Sequence, residues 1–78
     1  MEELVMKRII EELKGWSEDM ILRHELEGDG IPVEAAEWEA ALAGGRKLVA
    51  EARAAGMAEE EIAELIWLYG DRLMKEAA

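Results

Sequence analysis

Leu13-Lys14-Gly15-Trp16-Ser17-Glu18-Asp19 is the stretch that sets how many helices this chain has. A glycine directly after an amphipathic run reads as the left-handed residue that closes a helix, and Lys14 in the last turn suits the helix dipole. Ser17 then serves as an N-cap, with Glu18 and Asp19 in the first turn of a new helix and Trp16 stapled onto Ile21. On this reading a first helix runs from Glu2 to Lys14, with Met6, Ile9, Ile10 and Leu13 on one stripe. A second, short helix runs from Glu18 to Glu27. Its Met20 and Ile21 share a side with Ser17 and His24, while Leu22 and Leu26 lie on another. A helix this short is marginal alone, so it is expected to lie across longer neighbours.

Downstream, Gly28-Asp29-Gly30 reads as a turn, and Pro32 suits the first position of a third helix from Pro32 to Ala55. That helix has an apolar stripe of Ala35, Trp38, Ala41, Leu42, Gly45, Leu48, Val49 and Ala52. Gly44-Gly45 in its middle costs about 0.5–1 kcal/mol per glycine against alanine, so the pair calls for compensation by a tight crossing or a ligand slot. Gly56 ends the helix, Met57 staples onto Ile62, and Ala58 occupies an N-cap position where Ser or Asp is worth about 1 kcal/mol more. A fourth helix is predicted from Glu59 to about Ala77. Its core stretch, Ile62–Leu73, reads IAELIWLYGDRL and places Ile62, Leu65, Ile66, Tyr69 and Leu73 on one stripe. A flanking strip holds Ala63, Trp67, Gly70 and Met74, and Leu68 points away from both. With no strand-like alternation, the predicted fold is an all-α, small four-helix bundle in one domain, residues 1–78: a long antiparallel hairpin of the third and fourth helices, covered by the shorter first and second.

Composition bounds the functional classes. Seventy-eight residues allow one small domain, which buries only about 60–65% of its unfolded surface. There is no cysteine, hence no disulfide and no thiolate chemistry. Nineteen acidic residues against nine basic ones give a formal charge of −10, which repels phosphate backbones and anionic lipid. Direct nucleic-acid binding is therefore not expected, although the same charge suits an acidic mimic that blocks a basic groove. The start, Met1-Glu2-Glu3, lacks the basic region of a signal peptide, and no apolar run spans a bilayer. The expectation is a cytoplasmic or recombinantly soluble protein with no membrane contact.

Thr, Asn, Gln, Phe and Cys are absent, and Ala, Glu and Leu fill most helical positions. With MEE at the start, AGMAEEEIAELI across the last turn and KEAA at the end, the chain resembles a computationally designed helical bundle over its full length. The resemblance is one of style and carries no catalytic motif. It implies a binding scaffold, or a folding design with no ligand.

His24 is the single histidine, so a haem-ligating, metal-binding or general-base role begins there. One reading is an edge histidine with no role. The other is a cofactor pocket formed by His24, Met20, Gly45, Trp67 and Gly70, in which glycines beside indole faces make room for a flat ligand such as haem. A structural zinc site is disfavoured because it needs four nitrogen or sulfur ligands. Ser17 and His24 stand about 10 Å apart along a helix, too far for a nucleophile and its base. Glu25 to Gly30 opens like a calcium loop, but Pro32, Val33 and Ala36 occupy positions eight, nine and twelve, and the closing bidentate glutamate is missing. For a protein partner, the predicted patch is Trp67, Leu68 and Met74.

Overall fold

A computed structural model describes residues 2–66 of the chain, in which three helices and no strand are found. Helix α1 spans Glu2–Gly28, α2 spans Ala35–Ala54 and α3 spans Glu59–Ile66. The four-helix bundle is overturned at its first boundary: the predicted first and second helices are one continuous helix of 27 residues. Gly15 does not close a helix, Ser17 does not cap one, and the long element is α1 rather than the third helix.

The physical reason is the phase of the buried positions. Ile9, Leu13, Ser17 and Met20 are all buried, and they follow one another at four, four and three residues without a slip across the glycine. A Cβ built on Gly15 meets nothing within 4 Å, so the glycine sits on the outer side of an intact helix. Its cost there is about 1 kcal/mol of lost helix propensity. A break would instead free N–H and carbonyl groups on both sides of the gap and end the common register.

Helix α1 packs against both α2 and α3, which touch each other much less. Trp16 reaches Ala41 and Arg23 reaches Glu37, so rising numbers on α1 meet falling numbers on α2 and the two run antiparallel. The molecule measures 43 × 22 × 19 Å, and α1, about 40 Å long at 1.5 Å per residue, spans its long axis. Among the described residues, nine buried side chains form the core: Ile9, Leu13 and Met20 from α1; Leu42, Val49 and Ala52 from α2; Met57 from the second turn; Ile62 and Ile66 from α3. Met6, Ile10, Trp16, Trp38, Ala41, Leu48 and Leu65 pack around them. The predicted stripes of the third and fourth helices are thus the buried faces of α2 and α3, except that Ala35 is exposed. Tyr69 and Leu73 lie outside the described residues. No described helix is long and apolar enough to cross a membrane.

Both turns close in the same way. After α1, the Gly30 N–H donates to the Glu27 carbonyl at 3.0 Å and the Ile31 N–H to the Leu26 carbonyl at 2.9 Å, with Gly30 at φ +84°. After α2, the Gly56 N–H donates to Arg53 O and the Met57 N–H to Ala52 O, both at 3.0 Å, with Gly56 at φ +90°. These are Schellman closures, which satisfy end carbonyls that the helix leaves unpaired. Helix α2 begins at Ala35, later than the Pro32 start read from the sequence. Glu34 occupies the N-cap with extended φ, ψ of −65°, 146° and makes no side-chain cap bond.

The glycines give a stability test. Gly15→Ala and Gly44→Ala place a methyl group in open space within a helix, and each is expected to raise unfolding free energy by about 0.5–1 kcal/mol. Gly56→Ala, at positive φ, is expected to lower it by about 1–2 kcal/mol. Urea denaturation followed by circular dichroism checks all three; a destabilising Gly15→Ala would show that α1 is not continuous.

Candidate functional site

The residues predicted for a cofactor pocket do not share one environment. Met20 is fully buried in the core and Gly45 is buried on α2, whereas His24, one turn beyond Met20, is exposed. Trp67, Leu68, Gly70 and Met74 lie outside the described residues. Open surface hollows lie on the outer faces of α1 and α2. One is lined by Leu4, Lys7, Arg8, Glu11 and Glu12 on α1. A second is lined by Ala36, Glu39, Ala40, Leu42, Ala43 and Arg46 on α2. Neither touches Met20, His24 or Gly45. Among the described residues no group of three or more His, Cys, Asp or Glu side chains is placed to hold a metal. The acidic stretch from Glu25 to Gly30 is the last turn of α1 and its closure, not a calcium loop.

The glycine pair in α2 separates by face. Gly44 is exposed, with nothing within 4 Å of a built Cβ, and needs no packing partner. Gly45 is on the buried side, one turn beyond Ala41. At this level of α2, Trp16 of α1 donates its indole N–H to the Ala41 carbonyl at 2.7 Å. A carbonyl carries two lone pairs, so it accepts the indole without giving up its place in the helical ladder. The indole is thereby satisfied where it is half-buried, and the Gly15-Trp16 segment is fastened to the middle of α2.

Two polar pairs hold the ends. The Arg53 guanidinium grips the Glu59 carboxylate across the second turn, from Nε to Oε2 at 3.0 Å and from Nη2 to Oε1 at 2.8 Å. Arg53 lies in the last turn of α2 and Glu59 in the first turn of α3, so each also suits its helix dipole. The guanidinium's hydrogen bonds hold the Glu59 carboxyl below the usual carboxylate range, and the carboxylate holds Arg53 above its ordinary value. Nearer the other turn, Arg23 Nε stands 3.6 Å from Glu37 Oε1, an ion pair too long to be a hydrogen bond, and Arg23 Nη1 donates to the Asp19 carbonyl at 3.3 Å.

The apolar surface left outside the core has its own pattern. Leu4 is 72% exposed and Val5 46% at the start of α1; Leu22 is 54% and Ile31 52% exposed at its far end. Leu22 and Leu26 are one turn apart, and the Schellman bond from Ile31 to Leu26 brings a third aliphatic residue to the same end. The sequence reading puts Leu22 and Leu26 on a different side from Met20 and Ile21 but does not see this corner, because Ile31 reaches it through the turn. Comparison with protein-family models, characterised proteins and solved structures gives no match to this chain.

Two measurements test these contacts. Trp16→Phe removes the N–H together with the five-membered ring of the indole, and is expected to cost about 1–3 kcal/mol of stability from the lost hydrogen bond and packing, whereas the same change at a solvent-facing indole would cost close to nothing. The Glu59 pKa is lowered by folding. Its contribution is therefore present above the unfolded carboxylate value and is lost as pH falls through the folded one. The melting temperature of Glu59→Gln is expected to lie below that of the parent at neutral pH and to converge with it in acid; a gap that persists below the carboxylate range would contradict the pairing.

Proposed function

We propose that this chain acts as a helical protein-interaction module. The observation that carries the reading is the placement of Leu4, Val5, Leu22 and Ile31, all about half or more exposed, at the two ends of α1. A small domain has few large aliphatic residues to spend, and those outside the core are the natural anchors for a partner's apolar side chains. A net charge of −10 favours basic partners and speeds their encounter. A haem or other small-molecule pocket centred on His24 is less well supported, since that reading needs an imidazole beside an enclosed slot and His24 is exposed while Met20 is sealed in the core.

Selection from a displayed library of helical peptides tests the reading. Enriched peptides are expected to bind the parent chain at least about tenfold more tightly than Leu4→Glu or Leu22→Glu, with unchanged helical circular dichroism. No enrichment, or ligands indifferent to both substitutions, would remove the proposal.

A further inference from the structure

We infer that the C-terminal end of α1 is a docking corner for a basic amphipathic helix. The inference rests on the interaction-module reading and names where the partner sits and what it is made of.

Leu22, Leu26 and Ile31 supply the apolar part. The ordinary apolar contact of a Schellman closure accounts for Ile31 lying beside the last turn of α1. It does not account for half of Ile31 and half of Leu22 remaining outside. Helical spacing then fixes what surrounds Leu22. Glu18 and Asp19 lie one turn before it, Glu25 one turn after, and Asp29 at the end of the helix on nearly the same face. All four are exposed. From residue 18 to residue 32 the chain carries five carboxylates against one guanidinium. That guanidinium, Arg23, points to Glu37 on α2 and to its own helix at the Asp19 carbonyl. The ring around Leu22 therefore faces solvent as an anionic rim on an apolar centre.

Charge complementarity selects the occupant. A second copy of this chain brings −10 of like charge to the rim and is repelled. An anionic membrane is repelled for the same reason. A helix with aliphatic residues at i, i+3, i+4 and lysine or arginine on both flanks meets both parts of the corner at once. Apolar contact then supplies affinity, and the rim supplies orientation and encounter rate. The other apolar end, Leu4 and Val5, is flanked by Lys7 and Arg8 as well as by glutamates, so it lacks the one-signed rim.

The test uses the full chain and a fluorescent peptide of leucine and lysine patterned at helical spacing, with a scrambled peptide of equal composition as control. Anisotropy titration is expected to show the patterned peptide binding at least about tenfold more tightly than the scrambled one. Leu22→Asn should erase that preference, Leu4→Asn should leave it, and Glu18→Gln with Glu25→Gln should flatten the salt dependence. Equal binding of both peptides would mean attraction by net charge alone and overturns the corner, as does a preference that survives Leu22→Asn. If library-selected peptides bind through Leu4 instead, the corner fails while the interaction-module reading stands; if none bind, both fail.

Discussion

The structure depends on one uninterrupted buried stripe along α1. Ile9, Leu13, Ser17 and Met20 form the common wall against which α2 and α3 lie. A 78-residue chain without disulfides has little core to distribute, and a single long helix lets two shorter ones share the same buried surface. The penalty of Gly15 is small beside this. About 1 kcal/mol of propensity is set against several backbone hydrogen bonds, each worth roughly 1 kcal/mol net, and against the burial of Met20 in phase with Leu13. Tertiary packing therefore overrides a local stop signal.

The two Schellman closures convert that wall into a fold. Each ends its helix with a glycine at positive φ and turns the chain within a few residues, and across the first of them α1 and α2 run antiparallel. The second closure is the more deeply buried one. Met57 and Ala52, joined by its longer-range hydrogen bond, are both buried, and the Arg53–Glu59 pair spans the outside of the same turn. The first closure has the same backbone bonds but leaves Ile31 half outside. One motif, used twice, seals the core at one end of α2 and exposes aliphatic surface at the other.

Periodicity made much of this legible. The stripes of α2 and α3, the left-handed glycine at position 56 and the start at Glu59 were all readable, because each repeats a local rule that the packing obeys. Gly15-Trp16-Ser17 was misread because three local signals agreed: a closing glycine, a capping serine and acids in the next turn. The signal that outweighed them was phase, since Met20 continues the Ile9–Leu13 stripe as if the glycine were alanine. Likewise Pro32 suits a helix start by residue type, but Gly30 has already spent the chain's freedom in closing α1, and the helix waits until Ala35. The predicted cofactor residues illustrate a different limit. Met20 and His24 are one turn apart on a helical wheel, yet Met20 is sealed in the core while His24 is exposed.

The same limit explains why the candidate surface was not visible in the sequence. Leu22 and Leu26 share one face of α1 but Ile31 lies beyond the turn, and the backbone bond from Ile31 to Leu26 brings it to the same end. Acidic residues are spread over much of the chain, so composition alone says solubility. What distinguishes the end of α1 is order: carboxylates one turn to either side of an exposed leucine, and the nearby guanidinium drawn away to Glu37. Were Arg23 free to fold back over Leu22, it would cover the leucine with its aliphatic stem and neutralise part of the rim. Its engagement with α2 ties the anionic character of this surface to the packing of the core, so a change that loosens α2 from α1 would also alter what the outer face presents.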